Sequence, residues 1–85
     1  MITPSPNTRS IVSHDGAVIL DISNNAMTTL NSIGAYIWER LARGLLAEAI
    51  ITELVRDTGA DETRISRDVI EFIEQLNSKH LVRTS

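Results

Sequence analysis

The residues able to carry acid–base, metal or nucleophilic chemistry are few in this chain and badly spaced for it. Its only histidines are His14 and His80. Neither has a second ligand at the spacing a metal site needs. The chain has no cysteine, which excludes thiolate ligands, disulfides and cysteine nucleophiles. Ser13, His14 and Asp15 have the composition of a catalytic triad, but neighbours on one tight turn cannot align nucleophile, base and orienting carboxylate. The four glycines are scattered and encode no phosphate-binding loop. The expectation is a protein that is not an enzyme, with no catalytic residue, no metal and no cofactor, so any function is that of a binding surface.

The elements that would position such a surface are legible between residues 15 and 41. Val18, Leu20 and Ile22 alternate with Ala17, Ile19 and Asp21, which is the period of a strand. After Leu30 the apolar residues fall at Ile33, Ile37, Trp38 and Leu41, one face of a helix. Reading outward, residues 9–13 form a first strand, Asp15-Gly16 a hairpin turn, and residues 17–22 a second strand. Ser23, Asn24 and Asn25 make a polar turn before a short third strand over residues 26–30. Val18, Leu20, Ile22 and the Ile33–Trp38–Leu41 face are read as scaffold. Asn31 or Ser32 caps the first helix, which ends near Arg43 with Gly44 just beyond. A second helix covers residues 46–58 and stops at Gly59. Asp61 caps a third, whose stripe is Ile65, Val69, Phe72, Ile73 and Leu76; Leu81 and Val82 then pack back as a tail. The fold class is α+β, winged-helix-like, with a three-stranded antiparallel sheet followed by three helices, β-β-β-α-α-α.

Eighty-five residues make one domain with a modest core. Residues 1–7, with Pro4 and Pro6, read as a flexible lead-in and 8–83 as the domain. That lead-in has no apolar run, so it does not read as a signal peptide, and no stretch approaches a membrane span. A soluble, cytoplasmic protein is expected. The net charge of −3, with scattered Arg and Lys, suits neither nucleic acid nor an anionic membrane. Whether the chain is a monomer or a dimer is left open.

Particular residues resemble the PqqD-like family of peptide-recognition domains. They are Asp15-Gly16-Ala17-Val18-Ile19-Leu20-Asp21, then Leu30-Asn31-Ser32-Ile33-Gly34-Ala35-Tyr36-Ile37-Trp38-Glu39-Arg40-Leu41. Ala47-Glu48-Ala49-Ile50 and the segment from Arg67 to Leu76 add to it, so the likeness spans about residues 9 to 83. The resemblance implies a non-catalytic chaperone that binds the leader of a ribosomally made precursor peptide. The leader would lie as an extra strand against the third strand, in a groove shared with the third helix. A partner enzyme such as a leader peptidase would then act on the core peptide. The turn at Ser23-Asn24-Asn25-Ala26 departs from the pyrroloquinoline quinone proteins. The chain looks more like the free-standing leader-binding half of a split lasso-peptide B protein.

The residues themselves carry part of this expectation. Asn25-Ala26-Met27-Thr28-Thr29-Leu30 is uncharged and free of proline, so it lacks the devices that block a sheet edge against strand addition. Met27 is an adaptable apolar contact. The alternative is that Met27 is core and the chain's own tail caps the edge. On the third helix, Arg67, Ile70, Glu71 and Glu74 lie beside or opposite the apolar stripe, with Ile70 a candidate groove residue; the plain alternative is a solvated face. Trp38 reads as core, and Tyr36 is undecided. Two other functions compete. A winged-helix DNA-binding regulatory module would need a basic third helix, and here Arg64 and Arg67 are set against Asp61, Glu62, Asp68, Glu71 and Glu74. A structural subunit that docks an enzyme without touching a leader is the other.

Overall fold

The structure is a computed structural model and describes residues 2–84. Its elements are β1 (Ile2–Pro4), β2 (Thr8–Ser13), β3 (Gly16–Asp21), β4 (Ala26–Asn31), α1 (Ser32–Ala42), α2 (Ala47–Thr58), α3 (Glu62–Ser78) and β5 (Val82–Thr84). The expected meander is β2-β3-β4, antiparallel throughout, with β4 hydrogen-bonded to β3 alone. The α+β order of three strands followed by three helices is therefore present.

The helix ends form for the reasons their residues suggest. Asn31 caps α1, its Oδ1 accepting from the Gly34 N–H at 2.8 Å. Asp61 caps α3, accepting from the Arg64 N–H at 3.2 Å. Gly59 ends α2 in the left-handed conformation, with φ 69°.

Two expectations are corrected. Residues 1–7 were expected to be a flexible lead-in, yet Ile2–Pro4 pairs antiparallel with Val82–Thr84, with Pro4 opposite Val82. Proline is tolerated there because β1 is an edge strand whose outer side needs no donor. The Ser5 N–H donates to the Leu81 carbonyl at 2.9 Å and the Ser5 hydroxyl to that of His80 at 2.8 Å, tying the two ends of the chain together.

The second correction concerns the faces of β3. Ala17, Ile19 and Asp21 point into the core, while Leu20 and Ile22 are exposed and Val18 half-buried. The phase is set at β4. Leu30 pairs with Ala17 and lies against Gly34 of α1, so the side of the sheet carrying Leu30 must face the helices. Asp21 is tolerated inside because Asn24 satisfies both its oxygens, the backbone N–H at 3.3 Å and the side-chain amide at 2.8 Å. The hairpin closes over His14–Asp15, one residue earlier than the Asp15-Gly16 expected, with Gly16 opposite Ser13. Gly16 must be glycine, because a Cβ there would collide with the Leu30 carbonyl oxygen.

The core sits between this face and the helices. Trp38, Ile19, Leu41, Ile50, Val69, Leu76 and Leu81 are its fully buried members, so Trp38 is core as read from its position on the stripe. Ile33 is not: it is half exposed, at 50%.

Tyr36 joins α1 to α2. Its hydroxyl donates to Glu53 at 3.0 Å, and the Arg40 guanidinium lies 3.3 Å from its ring centroid while donating from Nε to Glu53 at 3.2 Å. Burial, then the hydrogen bond to Glu53, raises the Tyr36 phenol above its ordinary value. The Arg40 hydrogen bond, then that of Tyr36, holds the Glu53 carboxyl below its ordinary 4.5. A carboxyl with a depressed folded pKa stabilises above its unfolded pKa and loses that contribution as the pH falls through the folded value. Glu53→Gln should therefore melt below the parent at pH 7, and the gap should narrow as the pH falls below the ordinary carboxyl range, as thermal unfolding across that range will read.

His80 follows α3 with φ 59°, a left-handed conformation that glycine adopts without the Cβ penalty. His80→Gly is expected to raise stability by roughly 0.5 kcal/mol, a shift of about 2–4 °C in Tm for a domain of this size. A fall in Tm would contradict the strain.

Candidate peptide-binding groove

β4 is the outermost strand of its sheet, and the C-terminal tail that could have covered it pairs with β1 instead. The residues from Ala26 to Asn31 thus offer an open edge, beside which α3 runs. Between the two lies a cavity of about 230 Å³, with Thr28, Thr29 and Leu30 on the strand side and Phe72, Gln75 and Lys79 on the helix side. The helix residues are spaced i, i+3, i+7, so one face of α3 forms the wall.

Past Phe72 and Asn31 the groove opens into a second cavity of about 430 Å³, under the start of α1 and the end of α2. Its floor is apolar, from Ile33, Ile37, Leu54, Ile65 and Val69, and Arg64 and Asp68 stand on its lining as an exposed pair 4.0 Å apart. Phe72 is the common wall of both cavities. Its ring comes so close to α1 that a Cβ on Gly34 would sit 3.1 Å from it.

Of the residues expected from the sequence to bind a peptide, those of the strand lie together along the β4 edge and those of the helix lie apart from it. Asn25 lies in the turn with φ 52°, and Ala26 opens the strand, both exposed. Thr28 and Thr29 line the groove with Leu30, which is buried. Met27 is neither core nor groove lining: it is 68% exposed, on the sheet face turned away from the helices. Arg67, Ile70, Glu71 and Glu74 cluster with Glu62 on the other side of α3 and do not face β4. The reason is helical geometry, since these positions lie roughly 70° (Glu71) to 170° (Ile70) around the axis from the mean direction of the Phe72–Gln75–Lys79 row. Three carboxylates beside Arg67 make that outer side net acidic. Phe72, Gln75, Lys79 and Ile33 are the residues that the sequence reading placed in the core, or did not consider, and that line the two cavities. The sign available was Gly34, an interior helix glycine one turn beyond Leu30, which marks a close approach.

Among the described residues no cluster of His, Cys, Asp or Glu could hold a metal ion, and no helix is long and apolar enough to cross a membrane. His14 and Asp15 form an exposed contact of 3.4 Å in the hairpin turn and line neither cavity.

Residues 16–82 match the family described as coenzyme PQQ synthesis protein D (PqqD). This chain belongs to the PqqD family. No curated protein matches the chain. Among solved structures, the PqqD-family chain is similar to TbiB1 in complex with the TbiA(beta) leader peptide. That match has a TM-score of 0.92 at 24% identity, over 98% of this chain and 96% of that one. It is also similar to a lasso peptide synthetase B1 complexed with its leader peptide, with a TM-score of 0.89 at 20% identity over 98% of each chain. At these identities the likeness establishes a shared fold, and it extends over the whole of the PqqD-family chain, β1 and β5 included.

Proposed function

We propose that this PqqD-family domain binds the leader segment of a ribosomally made precursor peptide as an added strand on β4 and presents it to a modifying enzyme. It does so without catalysis, in the cytoplasm. The observation that carries the reading is the open β4 edge, set in a groove with α3 that ends in an apolar pocket. Strand addition needs that combination: main-chain hydrogen bonds give affinity, and pockets for alternate side chains give selectivity. In the groove a peptide side chain would meet Phe72, Gln75 and the Lys79 ammonium, and the pocket beyond would take an apolar one. The two solved neighbours, both described as leader complexes, support the reading, and the one described as a lasso peptide synthetase B1 points to a lasso peptide as the product. The partner would be a leader peptidase or another modifying enzyme that acts on the bound precursor.

Fluorescence anisotropy with the labelled leader encoded beside the gene tests this. Saturable binding with a Kd on the order of 1 µM is expected. No binding of any neighbouring leader at roughly 50 µM would overturn it, since an affinity that weak leaves the groove empty in a cell.

A further inference from the structure

The sheet face turned away from the helices is apolar where it should be polar. Ile11 lies opposite Val18, and Leu20 opposite Met27, in one cross-strand patch. Ile11 is 74% exposed, Met27 68%, the adjoining Ile22 59% and Leu20 42%. Leu20, Ile22 and Met27 border a shallow depression of about 260 Å³. The charged residue in register on this face is Arg9, opposite Leu20. An antiparallel sheet with one solvated face normally alternates polar residues outward, and contiguous apolar patches mark interaction sites.

We infer that this face docks the protein that acts on the bound peptide, through a surface with an apolar centre and a carboxylate set to meet Arg9. The inference rests on the strand-addition reading above. Three six-residue strands present only about 20 by 14 Å, or roughly 280 Å². A stable dimer needs about 800 Å² from each partner. A second copy is therefore a poor occupant, because it would bury too little. A peptide strand added to β4 widens the face to roughly 380 Å², too little for a permanent dimer but on the scale of a transient encounter with an enzyme, since every other side chain of that strand emerges on this same face, beside Met27 and Thr29. A partner seated there touches domain and peptide together, so it reads the loaded domain in preference to the empty one.

The test uses Ile11→Thr/Leu20→Thr, which puts a β-branched strand former at both positions and leaves every groove residue intact. The leader and the processing enzyme encoded beside the gene are the probes. Leader affinity should stay within twofold of the parent, while enzyme capture by the leader-loaded domain should fall at least ~10-fold. Enzyme capture by the parent should be stronger with leader than without. Unchanged enzyme capture by the double variant, or capture indifferent to leader, overturns the proposal while the leader reading stands. Loss of leader binding by the parent removes both. A concentration-dependent dimer of the empty domain in sedimentation velocity, abolished by the double substitution, would assign the face to a second copy and overturn it as well.

Discussion

Thr29→Pro is expected to lower leader affinity by about 10- to 100-fold while leaving the melting temperature nearly unchanged. The reasoning starts at the hairpin. A two-residue loop over His14–Asp15 makes Ser13 and Gly16 a hydrogen-bonded pair, and bonded and non-bonded pairs then alternate along β3. Even-numbered residues of β3 point their backbone groups at β2, and odd-numbered ones at β4. The Ile22 N–H, which donates back to the Asn7 carbonyl at 2.9 Å, fits that phase. On β4, therefore, Ala26, Thr28 and Leu30 complete the ladder, while Met27, Thr29 and Asn31 turn their N–H groups outward. Proline at 29 deletes an outward donor and sets its ring where the peptide backbone must lie. An unmet main-chain partner costs about 1–3 kcal/mol, and each 1.4 kcal/mol is tenfold in affinity. Thr28→Pro is the converse. It removes a ladder bond to Ile19 and should destabilise the domain by about 2–3 kcal/mol. Anisotropy titrations and thermal melts of both variants separate the cases; parent-like leader binding by Thr29→Pro would contradict strand addition on this edge.

Phe72→Ala has the next largest effect, because one ring walls both the groove and the pocket. Truncating a buried Phe costs roughly 3–5 kcal/mol, and for this half-buried ring about 2 kcal/mol is expected. Leader affinity should fall at least ~10-fold as the two cavities merge and the peptide loses its apolar contact. Stability loss alone could mimic a binding defect, so Ile50→Val serves as the control. Ile50 is fully buried and lines neither cavity, so its variant should lose about 1 kcal/mol and bind the leader like the parent. Equal binding losses in the two variants would mean that the ring has no part in recognition.

What could be read from the sequence follows physical lines. Caps and stops carry their own chemistry, so Asn31, Asp61 and Gly59 placed the helices, and uncharged β4 announced an edge. The phase of β3 was not legible, because both of its faces carry apolar side chains, the core face includes Asp21, and the larger apolar side chains are on the solvent side. Only tertiary contact, Leu30 against Gly34, decides between them. The helix wall was missed for a related reason. Phe72 belongs to the apolar stripe of α3 and borders the groove at once, while Gln75 and Lys79 carry no periodic signal. The pairing of β1 with β5 joins residues about eighty positions apart, and two prolines argued against a strand there.

The central claim is most directly tested by amide hydrogen exchange and amide chemical shifts of the domain, with and without saturating leader. The outward N–H groups of Met27 and Thr29 should exchange fast in the free domain and become protected on binding. Thr28 should be protected in both states, and shift changes should extend along Phe72, Gln75 and Lys79. Protection confined to Arg67, Ile70, Glu71 and Glu74, with Met27 and Thr29 still exchanging freely, would contradict binding by an added strand on β4.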